Sequence, residues 1–167
     1  MNRIPLHPAA RTLQIQVLRH NPFDPASAPR LQTFEVEEAD AMTLFIALNE
    51  IRERQDPSLQ FDFVCRGGIC GSCGMIINGR PLLACRTLTP DLPERIPLAP
   101  LPAFELIGDL SVNTGKWMRG MAERLETWIH NEGLARLDIG ALEQVMEPAL
   151  AEEIYELERC IECGCCV

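Results

Sequence analysis

Four cysteines in the first half of the chain have the spacing of a metal-binding site. The stretch "CRGGICGSC" and the later "LLAC" place them at Cys65, Cys70, Cys73 and Cys85, in the pattern C-x4-C-x2-C-x11-C. Thiolates are soft ligands that bind zinc and iron–sulfur clusters, and this pattern is the plant-type spacing for a 2Fe–2S cluster. The sequence therefore predicts that these four residues bind a 2Fe–2S cluster.

The glycines between these cysteines fit the same prediction. Three thiolates must converge on a small inorganic core from one short loop, so the backbone has to wrap closely around it. We expect Gly67, Gly68, Gly71 and Gly74 to supply unusual backbone dihedrals and to remove clashing side chains. The exposed N–H groups can then donate hydrogen bonds to the cluster sulfurs. Cys85 is expected to arrive from the far strand of a hairpin.

A structural zinc site and reduced, inert cysteines are the alternatives for this first group. Structural zinc sites usually pair one C-x2-C with another. The x4 interval and the interleaved glycines fit that arrangement poorly, so the spacing favours a 2Fe–2S cluster over zinc.

A second cysteine group ends the sequence as "CIECGCCV". Cys160, Cys163 and Cys166 match the first three positions of the bacterial ferredoxin pattern C-x2-C-x2-C-x3-C-P. The fourth cysteine and its proline would follow Val167, so we expect the sequence to be a fragment of a longer protein. A 4Fe–4S cluster is predicted here for the intact protein, whereas three thiols alone could hold zinc or oxidise. Cys165 is off the spacing and is expected to be a small packed side chain.

The composition argues against several classes of function. The 167 residues carry a net charge of −9, whereas nucleic acids and anionic membrane surfaces select for surplus Lys and Arg. No apolar run approaches the roughly 18 residues of a membrane span, and the first residues lack the apolar core of a secretory signal. We expect a soluble intracellular chain whose 8 cysteines are metal ligands rather than disulfides.

Alternating and helical patterns predict the elements that position the first cysteine group. Residues 12–20 and the run "LQTFEVEE" each alternate between apolar and polar side chains, which indicates two paired strands. Asn78-Gly79 suits a tight hairpin turn between two short strands. A helix with Asp40 as its N-cap and Asp56-Pro57 at its end is predicted between these two pairs of strands.

Beyond residue 105 the pattern becomes helical. The stretch "TGKWMRGMAERLETWIHN" has apolar residues at helical spacing, and a further helix is predicted with Pro148 in its first turn. The fold class is therefore α+β, with a mixed domain at residues 1–105 and the start of a helical domain at residues 106–167. The second cysteine group lies in the helical domain.

The segment "FDFVCRGGICGSCGMIINGRPLLACRT" resembles the iron–sulfur subunit of the succinate dehydrogenase/fumarate reductase family, and in particular that of bacterial quinol:fumarate reductases. The likeness extends through "LPAFELIGDLSVNTGKWMRGM" into "LERCIECGCC". It implies a β-grasp ferredoxin fold for the first domain and the beginning of an α-helical ferredoxin domain for the second. Some members of this family replace one of the four cysteines of the first group, but this sequence keeps all four.

The resemblance also implies cofactors and partners. In this family a flavoprotein subunit with covalent FAD interconverts succinate and fumarate, and three clusters connect the flavin to a quinone at a membrane-anchor subunit, which contains haem in some members. The likeness assigns the 2Fe–2S cluster to the first cysteine group. It assigns a 4Fe–4S cluster to Cys160, Cys163 and Cys166 with one distant cysteine, and a 3Fe–4S cluster to ligands absent from this sequence. The chain would then be a peripheral subunit on the cytoplasmic side, with no direct membrane span and no dicarboxylate site of its own.

Three alternatives remain open from the sequence. One is a free-standing 2Fe–2S ferredoxin, which is a diffusing electron carrier rather than a subunit. Another is a zinc-binding or redox-sensing module without enzymatic activity. The third is the iron–sulfur subunit of a related oxidoreductase, such as a thiol-linked fumarate reductase. No residue stands out as a catalytic acid, base or nucleophile, so electron transfer is the chemistry that the residues indicate.

Overall fold

The computed structural model describes residues 11–126 and 147–157. Residues 11–113 belong to one compact unit, and the described residues from Thr114 onward belong to a second. The first unit combines β-sheets with an α-helix, and the described part of the second is helical. The predicted α+β class is therefore confirmed.

The first unit is built on a five-stranded sheet with the strand order β2-β1-β5-β3-β4. Strands β1 and β5 are parallel, and the other neighbouring strands are antiparallel. This order, with a helix packed into the same core, is the β-grasp arrangement expected for the first domain. The strands are β1 (Thr12–Arg19), β2 (Arg30–Glu37), β3 (Gly74–Ile77), β4 (Arg80–Leu83) and β5 (Arg95–Ala99).

Helix α1 (Leu44–Arg54) lies between β2 and β3 in the chain, as predicted. Its N-cap is Thr43 rather than the predicted Asp40: Thr43 has extended backbone dihedrals, and its side chain accepts a hydrogen bond from the Ile46 N–H. Asp40 lies before a left-handed turn at Ala41, where φ is 52°. That turn places Asp40 outside the N-cap position, which requires the residue immediately before the first helical turn.

The predicted hairpin at Asn78-Gly79 is confirmed. Strands β3 and β4 pair across it, and Asn78 and Gly79 have φ values of 50° and 78°, the left-handed pair that such a tight turn requires. A second hairpin was not predicted. It joins β6 (Glu105–Gly108) to β7 (Ser111–Asn113) and forms a separate two-stranded sheet.

The second unit contains helices α2 (Gly115–Glu126) and α3 (Pro148–Leu157). Pro148 occupies the first residue of α3, as predicted, where its missing N–H leaves no hydrogen bond unmade. Within residues 11–126 and 147–157, no helix is long and apolar enough to cross a bilayer. The second cysteine group at residues 160–166 lies outside the described residues.

A buried ionic network fixes the segment that leads from α1 toward the first cysteine group. Arg19, at the end of β1, has an exposed fraction of 8%. Its guanidinium donates to Asp56 at 2.6 Å and to Ser58 at 2.8 Å, and its Nε lies 3.0 Å from a carboxylate oxygen of Asp109. Asp109 also accepts a hydrogen bond from the Gln60 N–H at 3.0 Å. A buried guanidinium is tolerated only with such partners, so the segment 56–60 is held in one position.

The stability of this network should depend on acidic pH. Hydrogen bonds from Ser58 and from Arg19 lower the pKa of Asp56 from 3.8 to about 2. Because the unfolded state binds the proton more tightly, the contribution of Asp56 is fully present above pH 4 and is lost as the pH falls toward 2. We expect Asp56→Asn to lower the free energy of unfolding at pH 7 by about 1–3 kcal/mol.

Urea denaturation of the metal-free chain and of Asp56→Asn between pH 2 and pH 7 measures this contribution. The difference in the free energy of unfolding between the two proteins should shrink as the pH falls from 4 to 2. A difference that stays constant over this range would show that Asp56 does not carry the pH dependence.

Candidate metal centre

The β3–β4 hairpin positions two of the four cysteines of the first group. Cys73 precedes β3 and Cys85 follows β4, so both lie at the open end of the hairpin, where the Ala84 N–H donates to the Cys73 carbonyl at 3.1 Å. Cys73 and Cys85 are buried, with exposed fractions of 4% and 7%. The positions of these two cysteines therefore depend on the register of the hairpin.

Helix α1 holds the segment that carries Cys85. The N–H groups of Leu44 and Phe45, in the first turn of α1, donate to the carbonyls of Thr87 and Ala84 at 2.9 Å and 3.0 Å. First-turn N–H groups have no partner within their own helix, so these hydrogen bonds satisfy the helix and fix the strand exit together. Cys85 is thus placed by both the sheet and the helix.

The remaining two cysteines lie on the loop between Phe63 and β3. Cys65 is exposed and Cys70 is partly buried. The Cys65 N–H donates to the Cys70 sulfur at 3.5 Å, and the Cys70 N–H donates to the Cys65 sulfur at 3.4 Å. The loop thereby folds back on itself and brings these two thiols together.

The four thiols stand as two neighbouring pairs, Cys65 with Cys70 and Cys73 with Cys85. Cys73 and Cys85 lie side by side at the open end of the hairpin, and groups of Cys85, with the charge of Cys70, act on the pKa of Cys73. The structure therefore brings the four residues that the sequence predicted as 2Fe–2S ligands together as two pairs.

Backbone N–H groups of the loop converge on the Cys65 sulfur. Those of Gly67, Ile69 and Cys70 lie 3.3, 3.4 and 3.4 Å from it. Hydrogen bonds to the charged form of a group favour that form. The N–H of Cys70, followed by those of Ile69 and Gly67, lowers the pKa of Cys65 from 9.0 to about 6.

Cys73 has the opposite environment. Burial is the main reason that its pKa is raised from 9.0 to about 11, since a thiolate loses hydration when it leaves water. At neutral pH these environments favour the thiolate form of Cys65 at the exposed edge of the site and the protonated form of Cys73 at its buried edge. A bound cation would reverse that preference, because metal ligation requires the thiolate form.

The unusual backbone dihedrals expected of the loop glycines are found at Gly68 and Gly71 but not at Gly67 or Gly74. Gly68 and Gly71 have φ values of 77° and 70°. Gly67 does not adopt this conformation, and a β-carbon added there would meet nothing closer than 3.7 Å. Arg66 takes a left-handed φ of 55° instead. At Gly74 the need for glycine is steric, since an added β-carbon would lie 3.1 Å from the Gly71 carbonyl oxygen.

The paired thiols suit a cluster of two irons. Among residues 11–126 and 147–157, no three His, Cys, Asp or Glu side chains are arranged to share a single metal ion. A 2Fe–2S cluster distributes four thiolates over two irons, which the paired arrangement of the thiols can provide.

An aromatic cluster beside the loop was missed in the sequence. It consists of Phe45, Phe61 and Phe63, with ring centroids 4.8–6.2 Å apart. The guanidinium of Arg66 lies 5.3 Å from the Phe45 ring and 5.4 Å from the Phe63 ring. Arg52 lies 4.8 Å and 5.1 Å from the rings of Phe61 and Phe63. The alternation of "FDF" immediately before the loop was the available signal.

Comparison with known proteins agrees with this geometry. Residues 14–119 match the family model of the 2Fe-2S iron-sulfur cluster binding domain. The chain is 58% identical to the fumarate reductase iron-sulfur subunit of Wolinella succinogenes over 94% of its own length and 65% of that protein. It is 32% identical to the protein of the same name from Haemophilus influenzae, over 92% of this chain and 62% of that one. The chain thus spans just under two thirds of these curated relatives.

A solved structure shares the fold. A chain in the Mycobacterium smegmatis Sdh1 complex in the apo form matches with a TM-score of 0.67 at 24% identity, covering 93% of this chain and 62% of that chain.

A substitution at Gly68 should impair the loop, and the same substitution at Gly67 should not. An added β-carbon at Gly68 would lie 2.6 Å from the Arg86 side chain, in a backbone conformation with φ of 77°. A left-handed conformation costs a non-glycine residue about 1–2 kcal/mol. We expect Gly68→Ala to take up less iron and sulfide on reconstitution than the unchanged chain, while Gly67→Ala takes up the same amount. Iron analysis and visible absorption measure uptake, and equal uptake by both variants would contradict this account of the loop.

The two thiol environments should also be distinguishable chemically. In the reduced, metal-free chain, iodoacetamide should alkylate Cys65 before Cys73, with a rate at Cys65 that falls below half its maximum as the pH drops below about 6. Cys73 should react slowly at pH 7 because it is buried and its pKa is about 11. Peptide mapping by mass spectrometry measures both rates, and equal reactivity of Cys65 and Cys73 at pH 7 would rule out these environments.

Proposed function

The chain belongs to the 2Fe-2S iron–sulfur cluster binding domain family, and from that premise we propose that it is an electron-transfer subunit whose Cys65, Cys70, Cys73 and Cys85 hold a 2Fe–2S cluster. The observation that carries the proposal is the convergence of these four thiols as two pairs. A 2Fe–2S cluster, when bound, supplies one-electron transfer, while the protein supplies position and potential.

The proposed cluster site has a buried edge and an exposed edge. The buried pair, Cys73 and Cys85, shields one side of the site from water. Cys65, Val64 and Ile69 are exposed, the last two with 73% and 88% of their surface accessible. Electrons must enter or leave where a redox partner can approach, so the loop edge is the side open to that partner.

The partners are proposed from the relatives rather than from this site. We propose that the chain relays electrons between a flavoprotein subunit, which acts on succinate or fumarate at FAD, and a quinone-binding membrane-anchor subunit. The 58% identity to a fumarate reductase iron-sulfur subunit supports this assignment. In that arrangement the chain is a non-catalytic subunit of an oxidoreductase, peripheral to the cytoplasmic face of the membrane.

The second cysteine group extends the proposed relay. Cys160, Cys163 and Cys166 have the spacing for three ligands of a 4Fe–4S cluster, with a fourth ligand outside this sequence. The ligands of a 3Fe–4S cluster also lie outside it. We place these clusters in a helical domain that follows Asn113, the last described residue of the unit that contains the first cysteine group.

A free-standing ferredoxin is less consistent with the comparisons. Such a carrier would need only a region like residues 14–119, which match the 2Fe-2S domain. The likeness to the Wolinella succinogenes subunit covers 94% of the chain. The described helix α3 and the second cysteine group both lie beyond the 2Fe-2S domain match.

Electron paramagnetic resonance tests the proposed 2Fe–2S ligands. The anaerobically purified or reconstituted chain should be silent for this cluster as oxidised and should show a 2Fe–2S signal after dithionite reduction. Cys73→Ser should abolish or strongly alter that signal, since it removes one of four thiolates. Cys165→Ser is the matched control and should leave the signal unchanged.

Two outcomes would contradict the proposal. A purified chain that contains stoichiometric zinc and shows no signal after reduction would support a zinc module. A 2Fe–2S signal that survives Cys73→Ser without change would show that the four named cysteines are not the ligands.

A further inference from the structure

We propose that Arg66 is a positioning residue that tethers the cysteine loop to the aromatic cluster of Phe45, Phe61 and Phe63. Arg66 follows Cys65 directly, and its guanidinium lies over the Phe45 and Phe63 rings at 5.3 Å and 5.4 Å. A guanidinium within about 6 Å of a ring centroid is attracted by the negative face of the ring. The side chain thus joins the most exposed part of the candidate site to a rigid part of the fold.

The cation–π contact of Arg66 stabilises an unfavourable backbone conformation at the same residue. Its φ of 55° is left-handed, a conformation that a residue with a side chain adopts only when its surroundings hold it there. The neighbouring Gly67 has room for a side chain and is not left-handed. The left-handed residue in this part of the loop is therefore Arg66, although the next residue is a glycine. The cation–π contact of Arg66 offsets the strain of its backbone conformation.

The reversal at Arg66 decides where the N–H groups point. The N–H groups of Gly67, Ile69 and Cys70 all follow Arg66 and all donate to the Cys65 sulfur. If the backbone at Arg66 relaxed to a right-handed conformation, the chain after it would leave in another direction and these donors would turn away from the sulfur. The tether thus preserves the preformed arrangement of donors around an exposed ligand.

The aromatic cluster is anchored independently of the loop. Phe45 and Phe61 are buried, with exposed fractions of 8% and 5%, and both belong to the main hydrophobic core. Phe45 also lies in the first turn of α1, whose N–H groups hold the segment carrying Cys85. Arg66 therefore links the loop ligands to the same helix that positions the fourth ligand.

The positive charge of Arg66 should also raise the reduction potential of the proposed cluster. The side chain belongs to the residue next to a ligand, so its positive charge lies within about one Debye length of the site. Reduction adds negative charge to the site, and a nearby cation stabilises that form. Removal of the charge should lower the reduction potential. These roles rest on the proposed function, because both require a bound 2Fe–2S cluster.

The test measures two properties of the loaded full chain, its midpoint potential and the rate at which a chelator removes its iron. Arg66→Gln removes both the charge and the stacking, so the potential should fall and iron release should accelerate by about two- to fivefold, the equivalent of an exposed cation–π contact. Arg66→Lys keeps the charge but not the planar stacking group. It should keep the potential and release iron faster than the unchanged chain.

Phe63→Leu tests the same contact from the ring side. This variant keeps the charge of Arg66, so its midpoint potential should equal that of the unchanged chain. Its iron release should be faster, because one ring of the cation–π contact is missing. Arg52→Gln is the matched control: it removes a similar contact with Phe61 and Phe63 from a residue of α1 rather than of the loop. Iron release from Arg52→Gln should match that of the unchanged chain.

Each result decides between distinct conclusions. Unchanged potential and iron release in Arg66→Gln would overturn the inference while leaving the proposed function intact. Equal acceleration in Arg52→Gln and Arg66→Gln would also overturn it, since the effect would then belong to the aromatic cluster in general. An unchanged chain that never binds a 2Fe–2S cluster would instead overturn the proposed function. Circular dichroism of each variant identifies any that fail to fold, and Arg66→Lys then carries the test.

Discussion

The candidate site depends on one constraint: three sulfurs on a short loop must face the same small volume as a fourth sulfur from a distant strand. A loop of ordinary right-handed and extended residues would direct its N–H groups and side chains outward at several points. The left-handed conformations at Arg66, Gly68 and Gly71 turn the backbone so that its N–H groups point toward the sulfurs.

The rest of the domain anchors both ends of that loop. Before it, the Arg19 network holds residues 56–60, and the buried Phe61 leads into the loop. After it, the register of β3 and β4 places Cys73 beside Cys85. Helix α1 contributes at both ends, through its N-terminal hydrogen bonds to the segment 84–87 and through Phe45. In this β-grasp fold, one helix and one hairpin thus position cysteines from separate parts of the chain.

The sequence predicted those features whose cause is local. The alternation in residues 12–20, the Asn78-Gly79 turn and the cysteine spacing each carry their physical reason in a few neighbouring residues, and each has the expected place in the structure. The errors arose where distant residues decide the outcome. Thr43 rather than Asp40 caps α1 because a left-handed turn at Ala41 intervenes. The role of Arg66 depends on Phe45, which precedes it in a different element. The second hairpin turns at Asp109, whose carboxylate is held by Arg19 and by the N–H groups of His20 and Gln60, and no pattern near residue 109 signals those partners.

Mössbauer spectroscopy of the chain loaded with 57Fe tests the central claim most directly, because it reports the number and oxidation state of the irons at the paired thiols. The account predicts two irons at the first cysteine group that are both ferric and sulfur-ligated when oxidised. After reduction by one electron, the spectrum should resolve into equal ferric and ferrous components. A single mononuclear iron site, or a spectrum in which both irons change together, would contradict a 2Fe–2S centre held by Cys65, Cys70, Cys73 and Cys85.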